Sequence, residues 1–476
     1  MAAAGRPARR GAAARRLVPR RTLVGKRGRH PVTSLRETLT AWRQDNLLRK
    51  VLRNTGYLFV GNTLSSVAQS ILAARLLGVL GFGILGTVIA FASNVNRLLS
   101  FRMGELVIKY MGQFLAQEKK EHAAAVLKAT ALTETLTSVA AYLLLVLLSP
   151  LAARYIAKDV TTAPLFTFYA LALLTNFVAE TSTAVLQVGD HFRSQAIINF
   201  LQSFLTVALI AYAFIVHGNI WLVLTAYLLG KSLNGLALAA VALRRAGQML
   251  GPGWWRASFR LLPPRREFWG FALSTNLSAT ASMLIRDNEV VWVSYFLSPL
   301  EAGYYKLALA VINLMVMPIT PFINTTFPEL TRAVAQKAWL RLRDLLKKMT
   351  ILSGAWTGAV ALALVVAGNW LITTFYGREY GPATPAALIL LIGYGVANIL
   401  YWNRTLLLSL GLPNYPLKAI AFTGAAKLIL GFFLVPRFGY LAEAALLSGF
   451  FVISIGLIVA RGLREISRQS SVVSYP

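Results

Sequence analysis

The sequence predicts an all-α polytopic membrane protein with about twelve transmembrane helices in two six-helix lobes. Three observations lead to this prediction. The 476 residues are 56% hydrophobic and only 14% charged, with a mean hydropathy of +0.59. The apolar residues come in long runs, and the basic residues alternate between the loops that separate the runs. A soluble chain of this length would need far more polar surface to cover its core.

Each apolar run contains roughly 19 or more residues, which is enough for a helix to cross a hydrocarbon core of ~30 Å. Helices are the expected spanning form, because backbone groups inside lipid must bond to one another. The predicted spans are 55–74, 83–101, 129–149, 164–187, 196–216, 219–243, 269–297, 303–325, 350–373, 383–409, 416–436 and 439–461.

The net charge of +30 is distributed as membrane topology requires, which argues against a nucleic-acid partner. With twelve spans, 38 of the 48 Lys and Arg residues fall on one side of the membrane and 5 on the other. Such a bias is typical of cytoplasmic basic loops. The sequence therefore predicts a multi-pass protein of the cytoplasmic membrane with both termini in the cytoplasm.

The N-terminal segment is the most basic part of the chain. Residues 1–31 are rich in Ala, Arg and Pro and contain no apolar core, so they are not a secretory signal peptide. We expect a disordered cytoplasmic tail, or alternatively a tether to anionic headgroups or another acidic partner. Ser34 and Glu37 have the spacing of a capping box, which predicts a short interfacial helix before the first span.

The two halves of the chain resemble each other at an offset of about 220 residues. "LLGVLGFGILGTVIAF" (76–91) aligns with "FLSPLEAGYYKLALAV" (296–311), with Gly83 opposite Gly303. An even number of spans per half makes the repeats parallel, related by a pseudo-two-fold along the membrane normal. The predicted domains are a basic tail (1–33), an N-terminal lobe (34–243), a cytoplasmic linker (244–266), a C-terminal lobe (267–462) and a cytoplasmic tail (463–476).

The first span of each half carries a polar stripe. In the second half the stripe consists of Thr275, Ser278, Ser282, Arg286 and Glu289, which lie within roughly 80° of one another on a helix. The corresponding stripe in the first half consists of Thr55, Asn62, Ser65, Ser66 and Gln69. Lipid does not favour such stripes, so we expect both to line a shared polar cleft between the lobes.

Arg286 is the main candidate for substrate binding. Its guanidinium keeps its charge at any working pH and matches phosphate geometry, so it could present positive charge to an anionic substrate, with Glu289 holding or neutralising it. The alternative is a local i,i+3 ion pair between Arg286 and Glu289 that has only a structural role. Asp287 points away from the stripe.

Other residues in or near the spans could line the site or have a structural role. Arg75, Arg97, Arg102 and Lys306 either extend to an interface or line the site, and Arg102 and Lys306 are counted among the candidates. Lys231, Arg404 and Lys427 are expected to be paired inside a lobe. Glu134, Glu180 and Glu443 are either hydrogen-bonded buried carboxyls or carriers of a proton or coupling cation. Pro318, Pro321 and Pro328 should bend the eighth span.

No pattern predicts an enzyme, a metal site or a cofactor. The chain has no cysteine, and its four histidines lie far apart in the sequence. Membrane glycan polymerases and ligases place catalytic groups in a sizeable outer loop. The longest outer loop predicted here is about 15 residues (149–163) and contains one acid, Asp159.

Four segments resemble the polysaccharide-transporter (Wzx-type oligosaccharide flippase) family of the multidrug/oligosaccharidyl-lipid/polysaccharide exporter superfamily. They are "AARLLGVLGFGILGTVIAFASNV", "VVWVSYFLSPLEAGYYKLALAV", "FPELTR" and "FYGREYGPATPAALILLIG". The resemblance covers residues from about 50 to 462. It implies a two-lobed bundle whose central cavity reorients an undecaprenyl-pyrophosphate-linked glycan, with cationic residues such as Arg286 on the pyrophosphate. Members of that family usually carry an acidic residue near the end of the second helix, where this chain has Arg102 in "LLSFRMGE".

The leading functional hypothesis is a flippase that moves a lipid-linked oligosaccharide across the cytoplasmic membrane for surface polysaccharide biosynthesis. Its partners would be undecaprenyl-pyrophosphate-linked oligosaccharide and membrane lipids, together with a glycan polymerase or glycosyltransferases. The alternative is a cation-coupled small-molecule or multidrug antiporter of the same superfamily.

Overall fold

The structure is a computed structural model that describes residues 46–412 and 414–473, with side chains except those of 46–60, 278, 320–325, 327, 328 and 471–473. The predicted basic tail and interfacial helix lie outside the described residues. Within them, all regular secondary structure is helical, which confirms the predicted all-α class.

The helices follow one another with short connections. In the first half they are α1 (Asn46–Leu99), α2 (Met103–Leu106), α3 (Gly112–Ala116), α4 (Lys120–Tyr155), α5 (Ala163–Thr175), α6 (Ala179–Val188), α7 (Phe192–Ile215) and α8 (Ile220–Leu250). In the second half they are α9 (Arg265–Ser282), α10 (Glu289–Phe296), α11 (Pro299–Val316), α12 (Thr320–Ala335), α13 (Trp339–Phe375), α14 (Ala383–Ile399), α15 (Asn403–Ser409), α16 (Asn414–Phe438) and α17 (Tyr440–Val473).

The described residues contain 10 helical segments that are long and apolar enough to cross a membrane, where the sequence predicted about twelve. The difference has two local causes. The first two predicted spans lie in one helix, α1, whose backbone is interrupted only at Gly78 (φ 65°, ψ −179°). The seventh predicted span, 269–297, is divided into α9, a π-helical turn at Met283–Asp287 and α10.

The interruption between α9 and α10 changes which charged side chains of this span lie on the same face. After the π turn, Asn288 adopts φ −111° and ψ 11°, outside the helical region. A π turn contains an extra residue and leaves carbonyl groups without their usual helical partners. A 3₁₀ turn at Met317–Ile319 separates α11 from α12 and contains Pro318, one of the three prolines predicted to bend the eighth span.

Helices close in sequence pack together within each half. In the first half α4 packs on α5, and α8 packs on α5, α6 and α7; in the second half α14 and α17 form the centre, with α11, α13 and α16 around them. The packed faces form large hydrophobic clusters. The opposite faces of the long helices expose side chains such as Leu136, Leu147, Leu362 and Val366. In a polytopic protein, such faces are the surfaces that contact lipid.

Two glycines bring α1 and α11 into direct backbone contact. A Cβ placed on Gly83 would lie 1.8 Å from the carbonyl oxygen of Pro299, and one placed on Gly303 would lie 2.4 Å from the carbonyl oxygen of Val79. Only glycine permits this approach. The two contacts are equivalent under the sequence repeat, because Val79 and Gly83 correspond to Pro299 and Gly303.

Candidate functional site

The second half of the chain contains a half-open cavity of about 560 Å³ between the π turn and helices α14 to α17. Its polar wall is formed by Ser282, Arg286, Tyr401, Asn403, Arg404, Thr405 and Ser454, and its apolar wall includes Phe450, Phe451, Ile455 and Ile458. The cavity therefore combines two guanidinium groups and several hydroxyls with an aliphatic and aromatic surface.

Arg286 reaches this cavity from the π turn. Its side chain is 49% exposed, and its Nε lies 3.6 Å from Asp287 Oδ1, too far for a hydrogen bond. Asp287 is engaged more closely by another arginine, described below. The guanidinium of Arg286 is thus left with donors for a further group.

Arg404 faces the same cavity from the start of α15. Within the described residues its guanidinium has no hydrogen-bond or ion-pair partner, so the expectation that it is paired inside a lobe is wrong. Sequence reasoning missed this residue because Arg404 and Arg286 are more than a hundred residues apart. The signal was present, since an arginine within an apolar run with no acid at helical spacing needs an external partner.

A cluster of buried charges lies behind the π turn. Lys427 Nζ is 3.0 Å from Glu289 Oε1 and 2.7 Å from Glu443 Oε1, and all three side chains are 3% exposed. Lys427 also donates a hydrogen bond of 2.9 Å to the carbonyl oxygen of Ile285. The predicted pairing of Lys427 inside a lobe is therefore confirmed, with partners on α10 and α17.

The position of Glu289 corrects two predictions. Glu289 was expected to share a face with Arg286 and to line the site, or to form a local pair with it. Because the helix is broken at Asn288, Glu289 turns into the interior and binds Lys427 instead. It does not line the cavity that contains Arg286.

The first half has a smaller cavity of about 290 Å³. Its charged lining residues are Arg97, Glu134, Glu180 and Lys231. The Glu134 carboxylate accepts hydrogen bonds from the backbone N–H groups of Glu180 and Thr181, so it satisfies the N-terminus of α6. Lys231 was expected to be paired, but within the described residues its amino group has no partner.

A seam of polar contacts joins α1 to the broken helix α9–α10. Arg97 Nη1 donates to Asp287 Oδ2 at 2.7 Å, and Thr87 Oγ1 donates to Ser294 Oγ at 3.2 Å. Between them, the Asn94 amide donates to the side-chain oxygen of Asn288. The two halves of the chain therefore contact each other through polar groups that belong to the break in α9–α10.

The part of α1 just before Gly78 is held to the second half by hydrogen bonds from side chains to backbone carbonyls. Arg75 Nε donates to the carbonyl of Phe375 at 2.7 Å, and its Nη2 donates to that of Thr374. Tyr380 Oη donates to the carbonyl of Ala74 at 3.0 Å. Burial raises the pKa of Tyr380, which keeps this hydroxyl protonated as a donor.

Several other predicted site residues lie away from both cavities. Lys306 donates to the carbonyl of Phe82 at 3.1 Å and covers its ring, and Arg102 forms an ion pair of 2.6 Å with Glu105. Gln69 is buried and donates to Ser203 on α7, so its part of the stripe faces its own half. Asn62 accepts a hydrogen bond at its carbonyl from Ser66 within α1. The side chains of Thr55 and Ser278 lie outside the described residues.

Of the predicted candidates whose side chains the structure describes, Arg286 and Ser282 line one cavity, and the others do not line it. For Glu289 the reason is that a helical projection assumes one continuous helix, whereas α9–α10 is broken at Asn288. Within the described residues no group of three acidic or histidine side chains could hold a metal ion.

These features define a polytopic helical membrane protein with charged cavities and a polar seam, and its fold is similar to that of solved MATE-family and MurJ structures. An inward-facing structure of a multidrug resistance MATE family transporter matches with a TM-score of 0.67 at 13% identity, covering 86% of this chain and 96% of that one. The inward closed conformation of the lipid II flippase MurJ matches with a TM-score of 0.66 at 13% identity, covering 87% and 89%. At this identity, the likeness concerns the fold.

Sequence comparison identifies the family of the chain. The profile of a family described as "Polysaccharide biosynthesis protein" matches residues 71–385, and the chain belongs to this family. The resemblance noted in the sequence is thereby confirmed. The inner membrane protein YghQ of Escherichia coli (strain K12) is 23% identical over 347 residues, which is 71% of this chain and 96% of that protein.

Proposed function

We propose that this protein is a flippase that translocates a polyprenyl-pyrophosphate-linked oligosaccharide across the cytoplasmic membrane by alternating access. One observation carries the proposal: Arg286 and Arg404 line one cavity, and the carboxylate nearest to Arg286, that of Asp287, lies 3.6 Å away and is shared with Arg97. Membership of the polysaccharide biosynthesis family supports it, as does the similarity of the fold to a lipid II flippase.

The chemistry of the cavity suits a pyrophosphate attached to a lipid. Guanidinium groups bind phosphate oxygens in pairs of parallel hydrogen bonds and are less strongly hydrated than ammonium groups. In a membrane interior, such donors replace the water that the anion loses. The apolar wall formed by Phe450, Phe451 and their neighbours suits the first isoprene units next to the pyrophosphate.

We further propose that the chain has twelve spans in two six-helix lobes, 34–243 and 267–462, joined by the linker 244–266. The two segments of α1 count as separate spans, and α9 with α10 forms the seventh. The reciprocal contacts of Gly83 with Pro299 and of Gly303 with Val79 support a pseudo-two-fold axis, because residues related by such an axis exchange contacts. The basic loops and the location of the E. coli relative support an inner-membrane protein with cytoplasmic termini.

In this topology, the contacts of Arg75 and Tyr380 lie at the extracytoplasmic end of the bundle. They hold the two lobes together there, so the conformation described here would be closed to the outside. The likeness to inward-facing and inward closed transporter structures agrees with this assignment.

The test is leaflet exchange of a fluorescent undecaprenyl-pyrophosphate sugar in vesicles that contain the purified protein. Arg286→Gln and Arg404→Gln should each slow exchange at least tenfold, because losing one charge-assisted hydrogen bond costs about 1.5–3 kcal/mol. The matched control is Arg245→Gln, which removes an arginine that hydrogen-bonds Gln248 away from both cavities. Wild-type exchange in both cavity variants would refute the proposed anion site.

The second candidate function is a cation-coupled small-molecule antiporter, which the first-half cavity favours. Glu180 lines that cavity and could hold an organic cation. Export of a cationic dye from cells, lost in Glu180→Gln and retained in Arg286→Gln, would support this function over the flippase.

A further inference from the structure

A third cavity, of about 210 Å³, opens on the lipid-facing surface of the first half. It lies between α4, α6, α8 and the linker, and it shares no lining residue with the two cavities described above. Its wall is almost entirely apolar, with Leu127, Val185 and Ala242 among the buried lining residues. Leu132 and Leu243 also line it and are exposed, so they mark its opening toward lipid.

The cavity continues into an apolar stripe along α4. Leu132, Leu136 and Leu143 are all exposed and follow one another at spacings of four and seven residues, so they share one face of the helix. Eleven residues of helix rise about 16 Å, which is roughly half of the ~30 Å hydrocarbon core. The cavity and the stripe together therefore match the length of one acyl chain in one leaflet.

Lys128 lies at the linker end of this stripe, one turn before Leu132 on the same face of α4. Its Nζ donates to the carbonyl oxygen of Ala257 at 3.2 Å and lies 4.4 Å from the centre of the Phe259 ring. In the part of the chain that the structure describes, no carboxylate lies within ion-pairing distance of Lys128. An ammonium group has three N–H donors, so Lys128 retains donors for an anion.

The linker adds further positive charge beside Lys128. Its two 3₁₀ turns, Trp254–Arg256 and Phe259–Leu261, both pack on α4. Arg256 and Arg260, one in each turn, are exposed, and their guanidinium groups have no partner among the described side chains. The chain contains no Asp or Glu between residues 191 and 266, so no nearby acid in the sequence offsets these charges.

Aromatic side chains place the linker at the level of the lipid headgroups. Trp254 forms part of the cavity wall, and its neighbour Trp255 is exposed, as is Phe259 in the next turn. Tryptophan favours the membrane–water interface, where its ring lies beside the headgroups. The cations of the linker and of Lys128 are thus next to the headgroups, and the apolar cavity extends from them toward the acyl chains.

We propose that this cavity, together with Lys128 and Arg256, is a binding site for an anionic phospholipid. One acyl chain occupies the cavity and the leucine stripe of α4, and the phosphate accepts hydrogen bonds from the ammonium and guanidinium groups. Because Lys128 belongs to α4 and Arg256 to the linker, the bound lipid holds the linker against the first half. The transported substrate has no part in this site.

The occupant can be measured with a fluorophore attached through Leu243→Cys, since Leu243 lies at the opening of the cavity and the chain contains no cysteine. The purified protein is placed in phosphatidylcholine vesicles that contain either brominated phosphatidylglycerol or brominated phosphatidylcholine, with the bromine on the same acyl chain. Brominated phosphatidylglycerol should reach half-maximal quenching at a mole fraction at least tenfold lower than brominated phosphatidylcholine.

Two substitutions test the headgroup contacts. Lys128→Gln and Arg256→Gln should each weaken binding of brominated phosphatidylglycerol about fivefold and leave binding of brominated phosphatidylcholine unchanged, because each removes one basic group beside the headgroup. The matched control is Lys337→Gln, which removes an exposed lysine between α12 and α13 in the second half. This control should keep the wild-type preference.

A further substitution tests the acyl-chain contact. Ala131→Phe fills the cavity from α4 and should reduce quenching by both brominated lipids. Ala140→Phe is the matched control, because Ala140 is exposed on the same helix and does not line the cavity. Unchanged quenching in Ala131→Phe would show that the acyl chain does not enter the cavity.

Equal quenching by the two brominated lipids in the wild type would overturn the site, as would a preference that survives both Lys128→Gln and Arg256→Gln. Unlabelled competitors identify the occupant, because phosphatidylglycerol should relieve the quenching and undecaprenyl phosphate should not. Relief by undecaprenyl phosphate alone would mean that the cavity binds a carrier lipid, which contradicts the proposal. The measurement contains no glycan and no leaflet exchange, so its outcome is separate from that of the flippase function.

Discussion

The backbone contact between α1 and α11 should be weakened by a methyl group at Gly83, and the distances in the contact set the size of the effect. In Gly83→Ala, the new Cβ would lie 1.8 Å from the carbonyl oxygen of Pro299, about 1.6 Å short of the 3.4 Å at which ordinary contact begins. The obstacle is backbone, so no side-chain rotation relieves the clash. The helices must separate locally, and overpacking of this kind costs about 1–3 kcal/mol. A cost of that size reduces the population of the closed contact about 5–150-fold.

The absence of cysteine from the chain provides a clean assay. Thr87 and Ser294 have hydroxyls 3.2 Å apart, one turn away from Gly83, so a Thr87→Cys/Ser294→Cys pair should form a disulfide in this conformation. Adding Gly83→Ala should lower the rate of disulfide formation by the factor given above. Gly358→Ala is the matched control, because no atom lies within 4 Å of a Cβ at that helical glycine. Equal rates in the parent and in Gly83→Ala would refute the argument from close packing.

Two further predictions concern polar contacts between the halves. Arg75→Ala removes the hydrogen bonds to the carbonyls of Thr374 and Phe375, which should weaken the contact between the halves by about 1–2 kcal/mol. An impermeant thiol reagent should then label a Ser70→Cys reporter faster. Unchanged labelling would show that these bonds do not hold the extracytoplasmic end of the bundle closed. Arg97→Gln and Asp287→Asn should each lower the free energy of unfolding by only about 0.5–1 kcal/mol, because the two side chains are 47% and 36% exposed. A charge swap of Arg97→Asp with Asp287→Arg should recover that loss in thermal unfolding, and failure to recover it would mean that the pair does not act through its charges.

The extent of sequence prediction differs between the fold and the site. Run length and charge alternation are properties of the chain alone, so they identified the helical class and the positions of the spans. The internal offset even matched Gly83 with Gly303, which meet in the structure. The site was harder, because a helical projection assumes that the helix continues. The break at Asn288 is not visible as Pro or Gly in the sequence, and it moved Glu289 away from Arg286.

Residues whose partners lie far along the chain were the least predictable. Lys427 was correctly expected to be paired, yet its partners on α10 and α17 could be named only from the structure. Arg404 was expected to be paired inside a lobe, and it lines the same cavity as Arg286 instead. The sequence allows many different ion pairs between opposite charges in separate spans. Which pairs form depends on how the helices pack, and the sequence around each residue does not determine that packing.

The charges in the span around Arg286 can now be explained by where each of them goes. A continuous helix would place Arg286 and Glu289 on one face and would neutralise them against each other. The π turn and Asn288 separate them, so that Arg286 faces the 560 Å³ cavity, Asp287 binds Arg97 of the first half, and Glu289 binds Lys427. Each charge then has different surroundings: the cavity for Arg286, the opposite half of the chain for Asp287 and a buried cation for Glu289. The segment from Arg286 to Glu289 therefore connects the cavity to the contact between the halves. Binding of a ligand at Arg286 would alter that contact, because Arg286 cannot move without moving Asp287 next to it.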